Sequence, residues 1–224
     1  MSDKITVEAL NLETLDADGA IRETEAAIDG DTRADLFRKG AVGGAALIGG
    51  SVLLGGFPGI ANAARPSKKQ DIAILNFALT LEYLEANFYK EALAKGALNG
   101  DVLATTRIVS AHENTHVRTL KKVLGRKAVK KPQFDFKNTT GDQATFLKTA
   151  VVLEDTGVTA YAGQGPRILQ KPIVKAALSI LTVEARHAAQ FRDLNNQNFA
   201  PKAFDSAKSM SQVLRAVGKT GFIK

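Results

Sequence analysis

From residue 67 to about residue 196, apolar side chains recur every three or four positions with polar residues between them, the period of an amphipathic helix. Ile72, Leu75, Leu79, Ala86 and Tyr89 mark one such face. It predicts helix 1 from Ser67 or Asp71 to Lys95, ending at Gly96. Asn99-Gly100-Asp101 is a turn, and Asp101 is the expected cap of helix 2, which runs to about Leu124 before Gly125. Residues 126–142 contain Lys131-Pro132 and Asn138-Thr139-Thr140-Gly141 and read as a linker. About sixteen extended residues reach ~50 Å, longer than a helix of about 25 residues at ~38 Å, so this linker can cross a bundle from end to end. Helix 3 is expected from Asp142, as its cap, to the break at Gly163-Gln164-Gly165-Pro166. Helix 4 is expected from about Pro172 to about Asn196. A short helix is expected over Ser206 to Val217, where Met210, Val213, Leu214 and Val217 share a face, as a cap on the bundle. Nothing reads as a strand meander or a strand–helix–strand series. The predicted fold is all-α: an antiparallel four-helix bundle with a long crossover between helices 2 and 3.

The apolar stripes are interrupted by acids at matching places. Glu82 follows Ala78-Leu79-Thr80-Leu81, Glu154 follows Val151-Val152-Leu153, and Glu184 follows Ile180-Leu181-Thr182-Val183. A carboxylate buried in such a run is costly unless it is paired or binds a metal. Two of the three histidines lie three residues after a glutamate, in Glu113-Asn114-Thr115-His116 and Glu184-Ala185-Arg186-His187, and positions i and i+3 share a helix face. Glu82 lies 31 residues before Glu113, and Glu154 lies 30 before Glu184. Tyr89 and Tyr161 each follow a lone glutamate by seven residues. The chain thus reads Glu, Glu-x-x-His, Glu, Glu-x-x-His. Four helices carrying that set describe a di-iron or di-manganese carboxylate site. Glu82 and His116 are assigned to one metal, Glu154 and His187 to the other, and Glu113 and Glu184 to bridging positions. Two metal ions are expected, iron in the first place and manganese as the alternative. No catalytic residue is assigned. Tyr89 and Tyr161 read as core side chains with bonded hydroxyls, or as groups that orient ligands across the bundle. Glu85, one turn from Glu82, also stands behind the ligands. In the repeat it matches Gly157, whose missing side chain is expected to leave room for a small substrate.

His112-Glu113-Asn114-Thr115-His116 also matches the His-Glu-x-x-His helix of zinc proteases. The other half of the chain has Val183 where a second such histidine would stand, and no further zinc ligand suggests itself. His112 is therefore placed on the outer face or behind a ligand. The basic run Arg118, Lys121, Lys122, Arg126, Lys127, Lys130 and Lys131 reads as a solvated face. It has no interleaved aromatics for base stacking, so no specific nucleic acid is expected.

There is no Cys, which excludes disulfides, thiolate catalysis and Cys-ligated metal sites. Residues 1–31 carry nine acids and two bases, a composition that favours disorder. Arg33, Arg38 and Lys39 then precede a Gly/Ala-rich apolar run from Gly40 to Ile60, followed by Ala61-Asn62-Ala63. Basic flank, apolar stretch and small-x-small exit describe an export signal. It is similar to a twin-arginine signal, with Ala34 in place of the second arginine. The expected organisation is an acidic N-terminus plus signal-like segment over 1–63, a bundle over 64–200 and a tail over 201–224. The location is expected to be the periplasm or cell envelope, or the membrane surface if the segment stays attached. Residues 64–224 carry 25 Lys+Arg against 13 Asp+Glu, a formal charge of +12. Such a body is drawn to anionic envelope polymers or lipid head groups.

Leu81-Glu82-Tyr83-Leu84-Glu85-Ala86-Asn87-Phe88-Tyr89, His112 to Val117, and Val183-Glu184-Ala185-Arg186-His187-Ala188-Ala189 resemble the ferritin-like superfamily over about 70–197. They are most similar to bacterial exported ferritin-like domain proteins, related to desiccation-associated proteins. The resemblance implies a ferritin-like four-helix bundle with a dinuclear centre, and small substrates such as iron, oxygen and peroxide. It implies no settled activity: the first expectation is an oxidoreductase in stress protection, and the alternative is a stress protein whose metal mainly stabilises the fold. A homo-oligomer is allowed, but a hollow storage shell fits poorly with a basic body.

Overall fold

The computed structural model describes residues 66–224, so the acidic N-terminus and the signal-like segment lie outside the described residues. Five α-helices follow one another: α1 (Lys68–Lys95), α2 (Gly100–Leu124), α3 (Gln143–Gln164), α4 (Lys171–Leu194) and α5 (Met210–Thr220). Among the described residues there is no strand, only an isolated bridge between Phe134 and Ile223. The fold is an all-α helical bundle.

Local chemistry sets the helix ends. The Ser67 hydroxyl accepts from the Gln70 N–H at 3.1 Å at the start of α1, and Asp142 accepts from the Thr145 N–H at 2.9 Å at the start of α3. Gly96 closes α1 at a φ of 68°, a left-handed conformation that glycine adopts without strain. Three expected boundaries shift. Asn99, not Asp101, flanks α2, and Asp101 lies inside its first turn, where a negative charge suits the helix N-terminus. The C-terminal helix begins at Met210 rather than Ser206, because Ser209 and Gln212 form a reciprocal capping box. Helix α4 also stops at Leu194, two residues short of Asn196.

Short connections fold α1 on α2 and α3 on α4 as hairpins, and α1–α3 and α2–α4 contacts close the ring. The linker does cross the bundle, along the outside of α1. Near its beginning, Asn76 bonds the Lys127 carbonyl and the Val129 N–H at 3.0 and 2.8 Å. Midway, Lys131 reaches Asn87 at 3.2 Å. At the far end, Thr140 bonds Glu91 at 2.6 Å and Lys95 at 2.7 Å. The tail lies against α3, where the Lys208 N–H donates to the Thr159 carbonyl at 3.0 Å, and reaches the linker where Phe222 meets Phe136. Gly163 is what lets it pass, since a Cβ there would fall 1.9 Å from the Lys208 carbonyl oxygen. Covered on its outer side, α1 is buried nearly all round from Ile74 to Tyr89, while α3 is enclosed in its second half and keeps Ala144, Lys148 and Val152 exposed in its first. Among the described residues no helix is long and apolar enough to cross a membrane.

Two hydrogen bonds fix the relation of α1 to α3. The Tyr89 hydroxyl of α1 donates to Glu154 of α3, and the Tyr161 hydroxyl of α3 donates to Glu82 of α1. Each tyrosine follows its own helix's glutamate by seven residues, so both bonds form together only if the helices run antiparallel.

Candidate metal centre

The middle of the bundle holds the residues that the spacing singles out. Glu82, Glu113, Glu154 and Glu184 are fully buried at 0% exposure, and His116 and His187 keep 9% and 5%. They fall into two groups: Glu82, Glu113, His116 and Glu184, and Glu113, Glu154, Glu184 and His187. Within each group the ligand-type atoms lie within 4.8 Å of one another. Glu113 and Glu184 belong to both. The two Glu-x-x-His helices, α2 and α4, thus contribute the shared acids, while α1 and α3 contribute one private acid each.

His116 Nδ1 lies 3.2 Å from Glu82 Oε2, 3.2 Å from Glu113 Oε2 and 3.1 Å from Glu184 Oε1. His187 Nδ1 lies 3.1 Å from Glu113 Oε1 and 3.2 Å from Glu154 Oε2. A ring nitrogen carries at most one proton, too few for all these oxygens. Glu113 Oε1 and both oxygens of Glu184 are buried with no hydrogen-bond partner. Asp71 provides the contrast within the same core. Also 0% exposed, it accepts from the N–H groups of Leu169 and Gln170 at 2.8 and 3.1 Å and from the Gln170 amide at 3.0 Å. That carboxylate is satisfied by protein donors and pins the α3–α4 connection to α1. The shared acids have no such donors. Oxygen and imidazole donors in this number suit one or two divalent cations of the iron or manganese kind. The six residues could hold them.

The surrounding side chains orient this set. Glu82 and Glu154 each give one oxygen to a tyrosine and turn the other toward a histidine. His187 presents Nδ1 to the acids, and its Nε2 lies 2.9 Å from Nδ1 of His112, on which it stacks at 5.2 Å. His112 therefore backs a candidate ligand from behind, orienting the His187 ring, and belongs to neither group. The zinc-protease arrangement would need His112 and His116 to converge. The basic run from Arg118 to Lys131 is exposed, as expected of a solvated face.

Glu85 lies closer to the centre than the repeat suggested. It is 2% exposed, and its Oε1 stands 3.2 Å from where a Cβ on Gly157 would be. Glu184 Oε2 is also 3.2 Å from that point. The space beside Gly157 thus takes two carboxylates, not a small substrate. The signal was present in the sequence as Glu85 opposite a costly mid-helix glycine.

The family model described as "Ferritin-like domain" matches residues 70–197. The chain belongs to the ferritin-like domain family. No curated protein matches it. Among solved structures, a hypothetical protein from Methanococcus jannaschii is similar, with a TM-score of 0.50 and 15% identity over 70% of this chain and 97% of that one. At that identity the likeness speaks for the fold alone. The match spans all six candidate ligands of this ferritin-like domain.

Protons take the place of cations when the side chains stand alone. Burial, then the charge of Glu113, push the Glu82 carboxyl from 4.5 up to about 8. Burial and neighbouring carboxylates likewise raise Glu85 and Glu184 well above the usual range. For His116 burial works downward, but the adjacent carboxylates of Glu113, Glu184 and Glu82 carry it up to about 12. The carboxylates of Glu113 and Glu154 beside His187 overcome its burial and carry it to about 10. A raised value in the fold contributes stability in full below the unfolded value and loses it as pH passes the folded value. Metal-free protein is therefore expected to melt at lower temperature as pH rises from about 5 to about 9, with Glu82 contributing through its value near 8. Metal-loaded protein is expected to do the reverse over that interval, because each ligand must release its proton to the solvent. Thermal unfolding with chelator and with added manganese measures both. Parallel trends in the two samples would contradict the assignment.

Proposed function

We propose that this ferritin-like domain is a di-metal carboxylate protein that oxidises iron or consumes oxygen or peroxide as a protection against stress. The observation that carries the proposal is the sharing of Glu113 and Glu184 between the two groups, with three of their oxygens lacking any protein partner. Two bound metals, iron or manganese, would supply electron transfer to oxygen or peroxide. The protein's own part is positioning. Glu82 and Glu154 are aimed by the tyrosines, His187 is held by His112, and the apolar core keeps water from the four carboxylates. His116 and His187 are the ligands that still reach the surface, so iron as substrate would arrive past the α2–α4 face.

A second reading has support of its own. Four carboxylates at 0% exposure tie the fold to whatever neutralises them, so metal would stabilise the bundle even without turnover. Ferrous-iron oxidation under oxygen and under peroxide, with metal counted on the same samples, separates the two. The first reading expects two metals per chain and turnover that Glu113→Ala and Glu184→Ala reduce at least ~100-fold, the upper end of what losing a group behind a ligand costs. Two metals without turnover of iron, oxygen or peroxide would favour the structural role. Two metals retained in the double variant would sink the ligand assignment.

We also propose that the domain works outside the cytoplasm, in the periplasm or cell envelope, either released or tethered. This rests on the order of Arg33 to Lys39, the run from Gly40 to Ile60, and Ala61-Asn62-Ala63. Its charge of +12 over residues 64–224 would hold it near anionic polymers or head groups. N-terminal sequencing from the native host is expected to find Ala64 first in the released form, or an intact chain in the membrane fraction in the tethered form. An intact chain in the cytoplasm would refute both.

A further inference from the structure

The two halves of the repeat differ on either side of the ligand layer. At the Tyr89 end, aromatic rings close the core. Phe88 stacks on Phe146 at 5.3 Å, Tyr89 stacks on Phe191 at 5.6 Å, and Phe146 meets Phe191 edge-on at 5.9 Å. The repeat places Ala160, Ile74 and Leu120 where these three phenylalanines stand in the other half. At the Tyr161 end, those three smaller residues all line a cavity of about 140 Å³.

The cavity lies one helical turn from the candidate metal centre. Ala78 lies one turn before Glu82, Leu120 one turn after His116, and Ile180 one turn before Glu184, and all three are in its wall. A helical turn is ~5.4 Å, so the wall is the layer next to the ligands. Tyr161 is also in the wall, and its hydroxyl is bonded to Glu82. The interior offers water little. Besides the Tyr161 hydroxyl, the buried polar side chain in the lining is Gln164, whose amide donates to the Lys208 carbonyl and whose oxygen accepts from Arg167. A buried water needs two to four polar partners, and apolar cavities of ~150 Å³ stay dry and take up benzene-sized molecules. The mouth opens between α2 and α4, where Val123 is 51% exposed and Ala176 is half-buried.

We propose that this cavity binds a small apolar molecule, a single aromatic ring or the end of a hydrocarbon chain, beside the metal centre. Its use as a substrate pocket rests on the di-metal reading; the binding itself does not. The volume is too small for a helix, and apart from the exposed Thr119 hydroxyl the walls offer no uncommitted side-chain partner to a charged or strongly polar ligand. An unfilled apolar cavity weakens a fold in proportion to its volume. The repeat shows that the same scaffold accommodates the aromatic side chains that would fill it.

The test is calorimetric titration of the full, metal-loaded chain with toluene, with metal counted on each sample. One site is expected, with a Kd on the order of 1 mM or tighter for so small a ligand. Ala160→Phe installs the side chain that the other half carries, and Ala176→Phe blocks the mouth should the first variant fold poorly. Either is expected to weaken toluene at least ~10-fold with the metal count unchanged. Xenon-pressurised crystals of the unaltered chain are expected to place xenon against Ala160 and Leu120. Failure of toluene to bind, equal binding of dioxane, or toluene binding that survives both variants would overturn the pocket while two bound metals leave the di-metal reading intact. A cross-link from Val123 to residues 40–60 would also overturn it, by naming the chain's own apolar run as the occupant. Toluene binding with no metal bound would support the pocket and refute the di-metal reading.

Discussion

Four candidate ligand carboxylates, with Glu85 beside them, crowd one dry core, and everything near them answers to that fact. An isolated buried charge is among the most costly things a fold can contain. Here two of the four, Glu82 and Glu154, are met by tyrosine hydroxyls and imidazoles, while Glu113 and Glu184 keep oxygens that make no hydrogen bond, with only an imidazole nitrogen close by. Protons can neutralise the cluster, and the raised values of Glu82 and Glu184 register that pressure. Protons cannot bridge two acids to two histidines. A pair of divalent cations can, which is why the ligand set, the crossed tyrosines and the glycine at 157 read as one device.

The architecture follows from delivering those acids to one layer. A repeated helical hairpin puts Glu-x-x-His on α2 and α4 and single glutamates on α1 and α3. The hairpins must then face each other antiparallel, and the crossover along α1 makes that possible. It also seals α1 from water, as the tail seals α3, so that the two helices carrying the private acids are the most enclosed. The α2–α4 side stays the more open one, with the histidines and the cavity mouth along it.

Much of this was legible in the sequence, for physical reasons. Helix ends were readable where a side chain caps its own turn, as at Ser67, Asp142 and Gly96, and misread at Ser209, where an equally local box with Gln212 takes the start in place of Ser206. The six candidate ligands were legible because metal binding demands a fixed spacing on a helix. What sits behind them was less so. His112 backs His187 across the bundle, a contact between residues 75 apart that no local pattern announces. Glu85 was visible as an acid opposite Gly157, but only packing revealed that the glycine makes room for carboxylates rather than for a substrate. The cavity was written as Ala160, Ile74 and Leu120 against Phe88, Phe146 and Phe191, a comparison that acquires meaning once the fold pairs the two halves.

The most direct test of the central claim is anomalous diffraction from crystals of the protein loaded with iron or manganese. The account predicts two peaks ~3.5–4 Å apart, the usual separation of a two-metal site, both within reach of Glu113 and Glu184. One should lie on the Glu82–His116 side and the other on the Glu154–His187 side. A single peak held by His112 and His116, or no peak among the four glutamates, would contradict it.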